Sequence, residues 1–173
     1  MEELLLKAIK GDKDSFMKII NSMEKKLYFV AKSKIDNEED VKDVIQETIF
    51  KCYKHIKKIK DPSKFSTWII TILINNCNQF YREKKNLNYC LLDENYTNDL
   101  YHTNEYSKID DKVDFFELLK ILDENERLIF TLYYSNNYTT KQISEILKIN
   151  ENTIKSKIKR SKDKIQKYVE RCA

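Results

Sequence analysis

Cationic and short polar side chains recur at helical spacing near the end of the chain. They are Lys155, Ser156, Lys159, Arg160 and Lys162, and from Lys155 to Arg171 eight Lys or Arg residues stand against Asp163 and Glu170. Lysine and arginine bind phosphate oxygens and donate to base edges in the major groove. The pattern therefore favours binding to duplex DNA. The alternative is a helical hairpin with a solvated basic face.

A predicted helix-turn-helix would position these side chains. Thr139 stands three residues before Gln142, which is the spacing of a capping box. Residues 148–150 form a short turn, Asn150 is a suitable N-cap, and Glu151 places negative charge on the first turn of the second helix. The residues predicted to face inward are Ile143, Ile146 and Leu147, then Ile154, Ile158, Ser161, Ile165 and Val169. In this motif the second helix enters the major groove.

Composition predicts an all-α protein. The 173 residues include one Gly and one Pro, whereas β-hairpins and tight loops draw on both residue types. An apolar content of 41% is enough for one modest core or two small ones. The net charge of +4 is slight, so only its uneven distribution along the chain indicates nucleic acid.

The sequence offers no evident catalytic or metal-binding constellation. It has two histidines, no Gly-rich phosphate loop, and four widely spaced cysteines, Cys52, Cys77, Cys90 and Cys172. We expect no enzymatic activity, no metal and no cofactor, and we expect the cysteines to be reduced thiols of a cytoplasmic protein. The start lacks the features of a secretion signal, and the apolar run Trp68 to Ile74 is too short to cross a bilayer.

Four helices are predicted in a first domain, residues 1–85. They are Glu2 to Lys10, ended by Gly11; a helix capped by Asp14 and reaching about Lys34; a helix opened by Asp36 or Asn37 and reaching Ile59; and a helix capped by Ser63 and running from about Lys64 to Lys85. The third helix exposes Asp40, Asp43, Gln46 and Glu47 in its first half and lysines in its second half. The acidic half suits a basic partner and the basic half a phosphate backbone; taken alone, a solvated helix explains both.

Aromatic and cationic residues lie close together around the break at Pro62. The set is Lys60, Lys64, Phe65, Trp68, Tyr81, Arg82, Lys84 and Lys85. Unpaired bases stack on aromatic rings while cations follow the backbone, so the mixture suits single-stranded nucleic acid. Trp68 by itself is better explained as a core residue.

Periodicity fades over residues 86–111, where six acids stand against Lys108. A stretch of this length is long for a loop inside one domain, so we predict an acidic, flexible interdomain linker. Residues 112–173 then form a second small helical domain. Its helices Val113 to Leu122 and Glu124 to Tyr134 are predicted to support the helix-turn-helix.

Four short motifs in one order resemble the bacterial RNA polymerase sigma factors of the extracytoplasmic-function class. The motifs are Gly11-Asp12 with Phe16, Asp43-Val44-Ile45-Gln46-Glu47, Lys64-Phe65-Ser66-Thr67-Trp68 with Asn75 and Arg82, and Thr153-Ile154-Lys155-Ser156 with Arg160. Such proteins keep only the second and fourth conserved sigma regions, which would correspond to the two predicted domains. Ile70 and Thr71 stand where relatives often carry DNA-contacting side chains.

The resemblance implies three sets of site residues in a non-catalytic promoter-specificity subunit. Asp43, Gln46 and Glu47 would bind core polymerase. Lys51, Lys60, Ser63, Lys64 and Asn75 would bind the promoter element nearest the start site (−10), where the strands are melted. Glu151, Thr153, Lys155, Ser156, Lys159 and Arg160 would bind the farther element (−35) as duplex.

The resemblance also implies partners. They are the clamp helices of the largest subunit and the flap of core RNA polymerase, promoter DNA, and a cognate anti-sigma factor, which in this class is often membrane-anchored. The alternative function is a stand-alone transcriptional regulator that binds a palindrome as a helix-turn-helix dimer.

Overall fold

A computed structural model describes residues 2–91 and 115–172, with no account of the side chains of residues 86–91 and 172. All regular elements in this part of the chain are helical, as the composition predicted. They are α1 (Glu2–Ile9), α2 (Lys13–Lys32), α3 (Glu38–His55), α4 (Phe65–Leu91), α5 (Phe115–Leu119), α6 (Glu124–Phe130), α7 (Thr140–Leu147) and α8 (Glu151–Cys172). Short 3-10 turns occupy Ile56–Lys58 and Pro62–Lys64, and a π-helical turn occupies Thr131–Ser135.

The cap of α2 differs from the prediction. Gly11 ends α1 with a φ of +106°, as expected for the residue without a Cβ. Asp12, rather than Asp14, then caps α2, because its carboxylate accepts hydrogen bonds from the Asp14 N–H at 3.1 Å and the Ser15 hydroxyl at 2.6 Å. Asp14 instead contributes negative charge to the first turn.

The start of α4 also differs from the prediction. Asp61 accepts from the Ser63 N–H at 3.0 Å and from the Ser63 hydroxyl at 2.7 Å, so Asp61 is the cap and Ser63 is a donor. Pro62 explains the difference, because proline favours the first helical position and leaves capping to the residue before it. The cap of α3 is Asn37, one of the two predicted candidates, which accepts from the N–H groups of Glu39 and Asp40.

Three helix ends depart from the sequence-based bounds. Helix α4 continues to Leu91, six residues beyond the predicted end at Lys85 and into the predicted linker. Helix α5 is described only from Phe115 to Leu119. The helix predicted to run to Tyr134 is α-helical only to Phe130 and continues as the π-helical turn. The rest of the predicted linker, residues 92–111, lies outside the described residues.

Helices α1–α4 form a first unit and α5–α8 a second. The predicted inward stripes are largely confirmed: Phe16, Leu27, Val41 and Cys52 are buried in the first unit, and Ile143, Ile154 and Ser161 in the second. Val169 is an exception, with 46% of its surface exposed. In the described residues no helix is long and apolar enough to cross a membrane.

The two units pack directly against each other. One contiguous set of buried apolar residues includes Leu27 and Ile69 of the first unit and Leu132 and Ile143 of the second. Helix α4 lies against α7, and α2 lies against the π-helical turn. The described chain is therefore a single body in which the two cores meet.

Candidate functional site

Local hydrogen bonds build the helix-turn-helix as the sequence predicted. The Gln142 N–H donates to the Thr139 hydroxyl oxygen at 3.2 Å, and the Thr139 N–H donates to the Gln142 side-chain oxygen at 3.0 Å. Lys148 ends α7 in the left-handed region with a φ of 56°. Asn150 caps α8, since its side-chain oxygen accepts from the Asn152 N–H at 2.8 Å.

The basic face of α8 points to solvent. Thr153, Lys155, Ser156, Lys159 and Arg160 are all exposed, over about two turns of one helix, so the structure brings them together. The Ser156 hydroxyl already donates to the Asn152 carbonyl at 2.9 Å. Its oxygen keeps acceptor capacity for a base edge or a bridging water.

Glu151 has a structural contact that the sequence did not indicate. Its carboxylate accepts from the Thr140 hydroxyl at 2.7 Å and pairs with Lys155 at 3.0 Å. The Thr140 and Lys155 hydrogen bonds lower the pKa of this carboxyl below its ordinary value. Glu151 therefore ties α7 to the start of α8 and fixes the angle at which the basic face is presented.

The three residues predicted to bind polymerase are exposed on one side of α3. Asp43, Gln46 and Glu47 lie within two helical turns of one another, and Glu47 pairs with Lys51 at 3.3 Å. Asp40 is less exposed than predicted, because its carboxylate lies 3.6 Å from the Lys84 ammonium. The resulting acidic surface suits a basic partner.

An apolar groove beside Gln46 was not predicted. Its volume is about 470 Å³, and its lining is Lys13, Phe16, Met17, Gln46, Ile49, Phe50 and Tyr53. Met17, Phe50 and Tyr53 have 49%, 62% and 42% of their surfaces exposed. The available signal was the placement of Phe50 and Tyr53 one turn apart, outside the buried stripe of α3. Such a cluster of exposed rings is typical of a protein contact.

The residues predicted for the near promoter element do not form one pocket. Lys60, Ser63 and Lys64 are exposed in the loop before α4, and Asn75 is exposed about 16 Å farther along α4. Lys51 is partly buried, and its ammonium donates to the side-chain oxygen of Asn76 at 2.7 Å. The structure therefore places these groups along a surface strip.

Asn76, which the sequence did not single out, holds Lys51 in place. It is 7% exposed, and its amide donates to the Thr48 hydroxyl at 2.8 Å. Thr48 in turn donates to the Val44 carbonyl at 2.7 Å. Asn75 and Asn76 are adjacent in sequence, so only the helix phase distinguishes the buried amide from the exposed one.

The aromatic residues near Pro62 are divided between core and surface. Phe65 is buried, and Trp68 is half-buried with its ring 6.0 Å from that of Phe65. The Tyr81 hydroxyl donates to the Lys34 carbonyl, and burial together with Asp36 and Glu124 raises the pKa of Tyr81 to about 12. Only Trp68 retains both core contact and an accessible ring edge.

The described residues contain no group of three or more His, Cys, Asp and Glu side chains positioned to hold a metal. Cys52 and Cys77 are buried free thiols. Burial raises the pKa of Cys52 to about 12 and that of Cys77 to about 11, so both remain protonated at neutral pH.

Two family models match the chain in order. Residues 19–86 match sigma-70 region 2, and residues 113–165 match sigma-70 region 4. The chain is 29% identical to the ECF RNA polymerase sigma factor SigW of Bacillus subtilis strain 168, over 98% of each chain. It is 25% identical to the sigma factor SigV of the same organism, over 82% of this chain and 83% of that one.

Solved structures share the fold. CnrH, in complex with the cytosolic domain of CnrY, superposes with a TM-score of 0.71 at 18% identity, over 99% of this chain and 98% of that one. RpoE of Bartonella quintana, in complex with the anti-sigma factor NepR, gives a TM-score of 0.69 at 22% identity, over 92% and 98%.

Proposed function

The chain belongs to the extracytoplasmic-function class of RNA polymerase sigma factors, and from that premise we propose a division of labour between its two units. The first unit docks on core polymerase and opens the near promoter element. The second unit binds the far element as duplex DNA. The observation that carries this proposal is the presence of an acidic protein-binding surface and a separate basic DNA-binding surface on one chain.

The polymerase contact is assigned to Asp43, Gln46 and Glu47, facing the clamp helices of the largest subunit. We extend this contact to the apolar groove formed around Phe50, because Gln46 lines the groove as well as belonging to the acidic surface. Apolar anchors surrounded by charged residues are the usual arrangement at protein interfaces. The flap is assigned to the second unit.

At the near element, Lys60, Ser63 and Lys64 are proposed to contact the backbone while Asn75 contacts a base drawn out of the stack. Extraction of a base costs a few kcal/mol, which backbone contacts and a shaped pocket offset. Lys51 would approach the phosphates from the position that Asn76 gives it. At the far element, Lys155, Ser156, Lys159 and Arg160 would read the major groove, with Thr153 and Glu151 at the helix start.

A cognate anti-sigma factor is the proposed antagonist. CnrH and RpoE are sigma factors solved with such partners, and members of this class are commonly held inactive in this way. We also propose that the chain works in the cytoplasm, with polymerase, and has no catalytic activity of its own.

Run-off transcription tests the proposal. Bacterial core polymerase and the purified chain are incubated with a randomised promoter library, and initiation at defined sites is the expected result. No initiation at any site would overturn it. Gel filtration separates the alternative: co-elution with core polymerase supports the sigma factor, whereas a tight dimer that binds DNA without polymerase supports the stand-alone regulator.

A further inference from the structure

The second unit covers one whole face of α4. At one end of this face, the Tyr138 hydroxyl donates to the Ser66 carbonyl at 3.1 Å and lies 2.5 Å from the Ser66 hydroxyl. Tyr138 is 4% exposed. Ser66 belongs to the segment that resembles the promoter-melting motif, so a residue of the second unit occupies part of that segment's surface.

The same contact continues about 22 Å along α4, to Tyr81. Ile70, Ile74 and Cys77 lie between Ser66 and Tyr81 at helical spacing and are buried. At the far end, Tyr81 donates to the carbonyl of Lys34, and the Lys34 ammonium pairs with the Glu124 carboxylate of α6.

Helix α2 contributes a third set of contacts. The Phe29 ring stacks on Phe116 with centroids 5.4 Å apart and meets Phe115 edge-on at 5.9 Å. The Asn136 amide donates to the Lys26 carbonyl at 3.2 Å, and the Lys26 ammonium lies 5.5 Å from the centre of the Tyr138 ring. The interface is therefore apolar and aromatic at its centre, with polar contacts at its ends.

A closed chain cannot reach both promoter elements. Their separation of about 25 base pairs, the difference between −35 and −10, corresponds to roughly 85 Å of duplex. A compact body of this size has a radius of gyration of about 15 Å. The interface between the units must therefore open before both elements are bound.

We propose that the free chain inhibits itself by this closure, with the second unit seated on the Ser66 face of α4 until it is displaced. The inference rests on the proposed function. Asp43, Gln46 and Glu47 remain exposed in the closed chain, so polymerase can dock first. Opening then uncovers the α4 face and frees the second unit to reach the far element.

The Lys34–Glu124 pair is the point at which closure can be tested. The side chain of Lys34 is 5% exposed, whereas that of Glu124 is 61% exposed. In the closed chain the ammonium depends on its partner, because an unpaired charge in a buried site is strongly unfavourable. Separation of the units returns Lys34 to water. A positive charge at position 124 therefore favours the open chain.

The test compares the full-length wild type with Glu124→Lys, with the charge-swapped double variant Lys34→Glu/Glu124→Lys, and with the control Glu3→Lys. The control removes an ion pair of similar type, Glu3 with Lys7, inside α1. Small-angle scattering measures the radius of gyration, and run-off transcription measures the chain concentration needed for half-maximal initiation.

Closure predicts that Glu124→Lys has a larger radius of gyration and needs a several-fold lower concentration, and that the double variant returns to wild-type values. An unchanged radius, or expansion without a change in initiation, would overturn closure as an inhibitory device. No initiation by the wild type would instead overturn the proposed function. If Glu124→Lys loses helicity, Tyr138→Phe, which removes only the hydroxyl at Ser66, decides the question by the same two measurements.

Discussion

The ammonium of Lys51 is held by the side-chain oxygen of Asn76, at 2.7 Å, from the next helix of the first unit. The Asn76 amide is at the same time bound to Thr48. One buried amide thus joins α3 to α4 and also orients a lysine at the proposed DNA surface. Neighbouring Asn75, exposed on α4, has no part in this network.

Replacement of Asn76 by Ala should destabilise the first unit by roughly 1 to 3 kcal/mol, because Thr48 would lose a buried hydrogen-bond partner. Urea unfolding measures the loss. Asn75→Ala is the matched control and should leave the free energy of unfolding nearly unchanged. In permanganate footprinting, Asn75→Ala should nevertheless reduce strand opening more than initial duplex binding. Equal unfolding curves for the two variants would contradict the structural assignment.

These two asparagines also show what the sequence could not reveal. The capping box of Thr139 with Gln142 and the Asn150 cap depend on residues two or three positions apart, so local spacing was enough to predict them. The choice between Asn75 and Asn76 depends on the rotation of α4 against α3. The Lys34–Glu124 pair joins positions 90 residues apart in sequence, and no local pattern could indicate it.

The predicted cap at Ser63 failed for a related reason. Asp61 and Ser63 are both good capping residues, and the preference of Pro62 for the first helical position decided between them. The bounds of α4 were missed because its last turns carry little apolar periodicity. The three site groups were predicted as residues, but their separation into an acidic surface, a strip along α4 and a basic face required the structure.

Reversal of the charges at Asp43 and Glu47 should abolish binding to core polymerase. Both side chains are exposed, so Asp43→Lys/Glu47→Lys should keep the helicity of the wild type by circular dichroism. Gel filtration with core polymerase measures the binding. Glu3→Lys, a charge reversal on α1, should still co-elute. Retained binding by the double variant would show that the polymerase contact lies elsewhere.

Replacement of Arg160 by Ala should weaken binding to the far promoter element by roughly 1 to 3 kcal/mol if the guanidinium makes a two-pronged base contact. Arg160 is exposed, and its Nε–H lies 3.5 Å from the Ser156 carbonyl, a long contact that DNA can replace. Holoenzyme binding to duplex promoters measures the change. Arg171→Ala, on the last turn of the same helix, is the control. An equal, sequence-independent loss for both variants would assign Arg160 to the phosphate backbone.

Acid should loosen the helix-turn-helix through Glu151. The pKa of this carboxyl is lowered in the folded chain by the Thr140 hydroxyl and by Lys155, so its stabilising effect is present above the unfolded value and is lost as the pH falls through the folded value. Unfolding followed from about pH 5 to about pH 3 should show a smaller pH dependence for Glu151→Gln than for the wild type. Glu145→Gln, an exposed glutamate on α7, is the control. Identical pH profiles for Glu151→Gln and the wild type would remove Glu151 from this role.

The groove around Phe50 should contribute to polymerase binding without contributing to the fold. Phe50 is 62% exposed, so Phe50→Ser gives up little buried surface and should unfold at nearly the wild-type urea concentration. Competition for core polymerase against a labelled wild-type chain should show about tenfold weaker binding, which corresponds to ~1.4 kcal/mol. Tyr168→Ser removes a ring of comparable exposure, 44%, from α8 and should compete as well as the wild type. If Phe50→Ser also competes fully, the acidic residues bind polymerase without the groove, and the exposed rings of α2 and α3 serve another contact.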